Sequence, residues 1–235
     1  MSFLNLKPGV NYSQTIVNKI NKETVIFKNL FSEVHYMLSG SSLMSLVFCE
    51  KPEYDDFDLY FKNKSNKRKA IKLLNASPEY TQVYKSKYAI TYLHKATNKK
   101  LQIILLLKKS LYHLAMSHDF ANCTLAYSSK SKNLYVSKKA IKAWTNKEIF
   151  INKSPLQNKT IPDKYYFNTY CILLERIEKY KGRYGLSLKE RGTLDMDLFE
   201  KKCKQRASKY PEDYWFTPID YSGATYAFAH KLFKK

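Results

Sequence analysis

The residues best suited to chemistry in this sequence are two aspartates, Asp56 and Asp58, in the segment YDDFDLYF. Alternate residues of a β-strand point to the same face, so a strand here places both carboxylates together and directs Phe57 and Leu59 into the core. Two carboxylates this close repel each other unless a cation lies between them. Hard oxygen ligands on a strand suit Mg²⁺ or Mn²⁺, and Mg²⁺ commonly takes one or two carboxylates together with substrate phosphates. The pair therefore predicts a divalent-cation site.

A turn at Gly40-Ser41-Ser42 precedes these aspartates and leads into a short apolar stretch that predicts a helix. Backbone N–H groups at the start of a helix have no partner inside the helix, and they readily bind anions. A phosphate site beside a carboxylate pair indicates phosphoryl or nucleotidyl transfer. The alternative is an ordinary strand–turn–helix–strand unit with solvated acids at a strand edge.

Hydrophobic periodicity predicts the elements that must position these residues. Residues 13–35 predict one or two helices that lead into a strand at 35–39. Residues 62–69 predict a basic loop that leads into a helix. Residues 83–94 and 99–107 predict two strands joined by a turn, and the run LQIILLL in the second predicts a central strand buried on both faces. Gln102 is the single polar residue in that run.

Gly40-Ser41, followed by Asp56-Phe57-Asp58-Leu59, resembles the signature of the DNA polymerase β-like nucleotidyltransferase superfamily. Three later segments resemble, in the same order, one branch of it known from phage, viral and bacterial proteins. They are LQII at 101–104, SHDFANC at 117–123 and RIEKYKGRYG at 176–185. The branch has Phe where His118 stands, and Tyr184 intrudes before Gly185. The resemblance covers about residues 35–190.

The resemblance implies an α/β (α+β) fold, in which helices flank a mixed, twisted β-sheet and the C-terminal part is mainly helical. It implies a nucleotidyltransferase core over 1–160 and a helical region over 161–235 that completes the cleft. Within the second region, residues 163–184 predict one long amphipathic helix. Residues 195–209 predict a further helix before an aromatic, turn-rich tail.

The resemblance also implies an activity and a set of site residues. Asp56 and Asp58 would hold Mg²⁺ or Mn²⁺, and the enzyme would move a nucleoside monophosphate from an NTP or dNTP to a hydroxyl. The nucleotide would be bound by six residues: Gly40, Ser41, Ser42, Arg176, Lys179 and Arg183. The last three recur at helical spacing, so a solvated basic face is the alternative to a nucleotide clamp.

A third acidic residue is expected in such a site, and two positions compete for it. The superfamily commonly carries a carboxylate on the strand where this sequence has Gln102, and a hydrogen-bonded core amide is the favoured interpretation of that residue. Asp119 is the other candidate, with a helix-capping role as its alternative.

The sequence carries 41 Lys and Arg against 20 Asp and Glu, a formal net charge of +21. Such an excess favours a polyanionic partner, although an AT-rich genome would also encode many lysines. The preferred acceptor is accordingly the 3′ end of DNA or RNA. Two alternatives are transfer to a protein hydroxyl, on a protein partner or the enzyme itself, and a degenerate module that binds nucleotide or nucleic acid without chemistry.

The four cysteines are far apart and form no CxxC pair, which indicates neither a zinc site nor a disulfide framework. The longest purely apolar run, Ile103–Leu107, is too short to span a bilayer. The N-terminal residues lack the build of a signal peptide. The sequence therefore predicts a cytoplasmic protein with no membrane partner.

Overall fold

The computed structural model describes residues 14–152 and 163–188. The described residues form two compact units, which divide between Phe150 and Ile151. The helices are α1 (Gln14–Glu23), α2 (Val25–Lys28), α3 (Ser41–Phe48), α4 (Lys64–Ala76), α5 (Leu111–Ala115), α6 (Lys138–Thr145) and α7 (Asp163–Tyr184). The strands are β1 (Met37–Ser39), β2 (Asp56–Phe61), β3 (Tyr80–Lys85), β4 (Ala89–His94), β5 (Lys100–Leu107), β6 (Leu125–Ser128), β7 (Leu134–Val136), β8 (Glu148–Ile149) and β9 (Ser187–Leu188).

The first unit is built on a seven-stranded sheet with the order β3-β4-β5-β2-β1-β6-β7. Strands β2 and β5 run parallel, and every other neighbouring pair in this sheet is antiparallel. The sheet is therefore mixed, with β2 in its centre. This architecture confirms the fold class that the sequence predicts, a mixed sheet flanked by helices.

Alternation along β2 gives the sheet two unlike faces. Phe57, Leu59 and Phe61 are fully buried, whereas Asp56, Asp58 and Tyr60 are half-buried. We call the side that carries Phe57 the back face and the side that carries Asp56 and Asp58 the front face.

Helices cover the back face through aromatic contacts and buried aliphatic side chains. Phe27 of α2 meets Phe57 edge-on, with ring centroids 5.2 Å apart. On the same face Tyr92 of β4 donates a hydrogen bond to Asn75 Oδ1 of α4 over 2.8 Å. This packing holds β2 in place from behind, because Phe57 has no room to leave the core.

The predicted strand–turn–helix–strand unit is confirmed in β1, the turn at Gly40, α3 and β2. Helix α4 begins at Lys64, inside the range 62–69 that was predicted to be a loop. The reason is a local cap: Asn63 Oδ1 accepts a hydrogen bond from the backbone N–H of Asn66 over 2.8 Å.

Two predictions about the strands were wrong. Residues 83–94 contain the end of β3, a turn and β4, because Ser86 Oγ accepts hydrogen bonds from the N–H groups of Tyr88 and Ala89, each at 3.1 Å. The run LQIILLL is not buried on both faces, since only Leu101 and Ile103 are fully buried and Leu106 is 56% exposed. Its position between β4 and β2 is nevertheless interior to the sheet.

In the second unit, α7 confirms the predicted long helix, and its buried residues Leu173, Ile177, Tyr180 and Tyr184 recur at helical spacing. The helix ends at Tyr184, and the next residue, Gly185, has φ 63° and donates its N–H to the carbonyl of Lys181. The helix predicted over 195–209 and the aromatic tail lie outside the described residues. No helix in the described ranges is long and apolar enough to cross a membrane.

Candidate functional site

Asp56 and Asp58 lie half-buried on the front face of β2, and their Cα atoms are about 6.5 Å apart along the strand. The fully buried Phe57 and Leu59 on either side of Asp58 fix the strand beneath the two carboxylates. Asp55 comes before the strand and is exposed. Of the three neighbouring aspartates, the strand therefore presents Asp56 and Asp58 on one face, as the alternation predicts.

The sheet register shows which residues flank these carboxylates. Asp58 is paired with Ser39 of β1 on one side and with Gln102 of β5 on the other. Residues paired in register point to the same face, so the half-buried Gln102 lies beside Asp58 on the front face. Gln102 is thus an immediate neighbour of the carboxylate pair, and its role there stays a prediction.

Lys100 is a site neighbour that the sequence did not single out. It pairs with Asp56 across β2 and β5, lies on the front face and is exposed. Its cationic side chain is therefore beside the first carboxylate of the pair. Only the register reveals this, because Lys100 is one of many lysines in the sequence.

The turn at Gly40 lies directly against Asp58. Gly40 has φ 88°, a conformation that residues with a Cβ rarely adopt, and a Cβ built there would be 2.6 Å from Asp58 Oδ2. Glycine is required here for its conformation and for space. The Gly40-Ser41-Ser42 turn and the carboxylate pair, 16 residues apart from Gly40 to Asp56, thereby form one site.

Helix α3 begins at this turn, and its N-cap residue Gly40 has no side chain with which to cap the first turn. Ser42 lies in that first turn and is only 1% exposed, yet its hydroxyl has no hydrogen-bond partner in the described part of the chain. A buried hydroxyl without a partner is unfavourable by about 1–3 kcal/mol. An oxygen ligand that reached the first turn of α3 would satisfy it.

Asp119 lies in the turn between α5 and β6 and is half-buried. Its neighbour His118 is tied to β1, with Nε2 2.6 Å from Ser39 Oγ. The Ser39 hydroxyl donates its one proton to the carbonyl of Leu125, so His118 Nε2 carries a proton and donates it to Ser39. His118, the residue that departs from the resembled motif, therefore anchors the turn that contains Asp119 to β1. Its contact there is Ser39, the residue paired with Asp58.

Arg176, Lys179 and Arg183 lie on α7 in the second unit. Arg176 is exposed, and Lys179 and Arg183 are half-buried. Their spacing places the three on one side of the helix, as the sequence predicts. Their role as a nucleotide clamp stays a prediction.

The donor set of the site suits a hard divalent cation. Among the residues that the structure describes, no group of three or more His, Cys, Asp or Glu side chains could enclose a metal ion. Two carboxylates on one strand face leave the other ligand positions to water and phosphate oxygens, which is the coordination that Mg²⁺ commonly takes. The residues present therefore fit Mg²⁺ or Mn²⁺ better than a metal held by the protein alone.

Solved structures of CCA-adding enzymes share this fold. A Bacillus stearothermophilus CCA-adding enzyme in complex with CTP is similar with a TM-score of 0.50 and 13% identity, over 86% of this chain and 45% of that chain. A CCA-adding enzyme in complex with ATP has a TM-score of 0.52 and 12% identity, over 85% of this chain and 46% of that one. The present chain thus spans less than half the length of these enzymes. At this identity the likeness shows the nucleotidyltransferase fold.

No curated protein matches the sequence. A family model does: the one described as "Gabija anti-defense 2 family protein" (Gad2) matches residues 10–147. That range contains the Gly40 turn, both aspartates, Gln102 and Asp119. Because the match extends over more than half of the 235 residues, the chain belongs to the Gabija anti-defense 2 family.

Proposed function

We propose that this protein is a metal-dependent nucleotidyltransferase that moves a nucleoside monophosphate from an NTP or dNTP to a hydroxyl, most simply the 3′ end of DNA or RNA. One observation carries the proposal: Asp58 Oδ2 lies against Gly40, 2.6 Å from where a Cβ would be. A carboxylate pair and an uncapped helix N-terminus thereby meet at one point, where the pair suits the cation of a triphosphate and the helix N-terminus suits its phosphates.

In this proposal the turn binds the phosphates. Backbone N–H groups of Ser41 and Ser42 donate to phosphate oxygens, and the buried Ser42 hydroxyl gains the partner that it lacks. Asp56 and Asp58 hold Mg²⁺ or Mn²⁺, which when bound supplies positive charge against the triphosphate and the departing pyrophosphate. Arg176, Lys179 and Arg183 form the clamp, with 1–160 as the catalytic core and 161–235 as the region that completes the cleft.

The transfer is a substitution at the α-phosphorus. The acceptor hydroxyl oxygen attacks that phosphorus in line, a new P–O ester bond forms, and the bond from the α-phosphorus to the bridging oxygen breaks. Pyrophosphate leaves with the electron pair of that bond. The hydroxyl proton passes to a carboxylate of the site and then to water. We propose that Asp119 is the third acidic residue of the site and that its carboxylate assists this step.

Incorporation of labelled nucleotide tests the proposal. Each labelled NTP and dNTP is incubated with the protein and Mg²⁺ or Mn²⁺, with and without DNA and RNA oligonucleotides, and the products are resolved on a denaturing gel. We expect extended oligonucleotides from the wild-type protein and none from Asp56→Asn/Asp58→Asn. Asp55→Asn is the matched control, because Asp55 is adjacent but exposed and outside the strand. Full activity in the double variant would overturn the proposal.

A second candidate is a module that binds nucleotide without chemistry. The observation in its favour is Gln102, an amide in register with Asp58, where the resembled superfamily commonly has a carboxylate. Nucleotide binding without incorporation in any of the reactions above would support this candidate. Label on the protein band would instead identify a protein hydroxyl as the acceptor.

The family description provides the biological setting for either activity. It names an anti-defense protein directed at Gabija. We infer that the transfer, or the binding, serves to counter that defense.

A further inference from the structure

The front face continues beyond the carboxylates to the edge of the sheet. The register aligns Asp58 with Gln102 of β5, Thr91 of β4 and Tyr84 of β3, which all point to one side. A second row aligns Asp56 with Lys100, Leu93 and Thr81. With strands about 4.8 Å apart, Tyr84 is about 14 Å from Asp58 across the sheet.

Most of this part of the front face is exposed or half-buried, unlike the back face behind β2, β5 and β4. The back-face residues between the two rows on these three strands, Phe57, Leu101 and Tyr92, are almost completely buried. On the front face Lys100, Thr81 and Tyr84 are exposed, Gln102 and Leu93 are half-buried, and Thr91 is 5% exposed. The accessible path over the sheet from the carboxylates to β3 therefore follows the second row, and Tyr84 lies three residues after Thr81 on β3.

Aromatic and cationic side chains are exposed on this path and in the turn that follows β3. Tyr84 is 43% exposed, and Tyr88 in the following turn is 44% exposed. Lys87 Nζ lies 4.9 Å from the centre of the Tyr88 ring. Exposed aromatic rings on a sheet stack unpaired bases, and lysines bind phosphates, which is how several sheet proteins hold single strands. A duplex offers its bases to neither ring, because they are already stacked.

We propose that the acceptor is a single-stranded nucleic acid that lies on this path and on the turn that follows β3, with its 3′ end at Asp58. Its backbone contacts Lys100 and Lys87, and its bases stack on Tyr84 and Tyr88. We call these four residues the acceptor track. The formal net charge of +21 complements such a strand. The identity of the acceptor rests on the proposed function, whereas the binding of a single strand can be tested without chemistry.

Fluorescence anisotropy with labelled single-stranded DNA and RNA, in EDTA, tests the acceptor track in the 235-residue chain. Tyr84→Ala and Tyr88→Ala should each weaken binding roughly fivefold or more, because each removes a stacked base. Tyr84→Phe keeps the ring and should retain binding. Tyr112→Ala is the matched control, since Tyr112 is 55% exposed on α5 and outside the track.

The lysines are tested by salt dependence. Lys100→Gln should make the slope of log affinity against log salt concentration less steep by about 0.7. This is the value for one phosphate contact of a single strand. Lys139→Gln on α6 is the control, because Lys139 is also exposed and lies outside the track. Thermal melting of each variant shows that it is folded.

The outcomes separate this inference from the proposed function. Weaker binding of Tyr84→Ala, with unchanged binding of Tyr84→Phe and Tyr112→Ala, supports the acceptor track even if no nucleotide is incorporated. Unchanged binding in Tyr84→Ala, Tyr88→Ala and Lys100→Gln overturns it, even if the wild-type protein extends oligonucleotides. Binding of duplex as tightly as single strand also overturns it.

Discussion

Asp58 Oδ2 lies so close to Gly40 that a Cβ atom at position 40 would be 2.6 Å from it. The contact joins the turn before α3 to the centre of β2. It makes the position of one carboxylate depend on the absence of one side chain. The first prediction follows from this relationship.

Gly40→Ala should destabilise the fold by about 1–3 kcal/mol and displace Asp58, because φ 88° and the short contact both oppose a Cβ. Urea unfolding measures the free energy of unfolding, and a loss of nucleotide incorporation reports the displacement of Asp58. Gly182→Ala is the control, since a Cβ there meets nothing within 4 Å on α7. That change should stabilise the protein by about 0.5–1 kcal/mol. Equal stability of the two variants would contradict the prediction.

Ser42→Ala should weaken nucleotide binding without loss of stability. The Ser42 hydroxyl is buried and lacks a partner in the described residues, so its removal deletes no hydrogen bond from the unliganded protein. Isothermal titration with nucleotide and thermal melting measure the two effects.

Ser45→Ala provides the contrast within the same helix. Ser45 Oγ accepts a hydrogen bond from the N–H of Glu53 over 2.7 Å, so its loss should cost about 1 kcal/mol of stability and leave nucleotide affinity unchanged. If Ser42→Ala lowers stability and spares nucleotide affinity, Ser42 is structural.

Asp56→Asn/Asp58→Asn should leave the melting temperature in EDTA nearly unchanged, because the amides keep the shape of the two side chains and remove the repulsion between the carboxylates. Addition of Mg²⁺ or Mn²⁺ should raise the melting temperature of the wild-type protein and of Asp55→Asn, and not of the double variant. Differential scanning fluorimetry measures both. A large loss of stability in EDTA would show that the aspartates hold the fold together.

Ser39 and His118 should be energetically coupled. Their hydrogen bond is 2.6 Å long and partly buried, so a double-mutant cycle with Ser39→Ala and His118→Phe should show about 0.5–1.5 kcal/mol of coupling in urea unfolding. Ser110 and His113 form an exposed pair at 2.8 Å and serve as the reference cycle, with smaller coupling expected. Additive effects of the first pair would show that the contact contributes nothing.

Local sequence patterns specify those parts of the site that lie close together in the chain. Alternation in YDDFDLYF places Asp56 and Asp58 on one strand face, and the structure has both on the front face of β2. The Gly40 turn, α3 and the long helix α7 were equally evident. These features depend on backbone periodicity and turn preference within a few residues, so the chain encodes them locally.

The residues around the carboxylates come from distant parts of the chain, and local patterns do not predict them. Ser39 and His118 are 79 residues apart, and Lys100 and Gln102 reach Asp56 and Asp58 only through the parallel pairing of β2 with β5. The turn within 83–94 and the exposure of Leu106 likewise escaped prediction. Strand order and register are set by packing of the whole back face, where a shift of one residue would turn Phe57 and Leu59 out of the core. That constraint involves every strand at once, and no single segment of the sequence contains it.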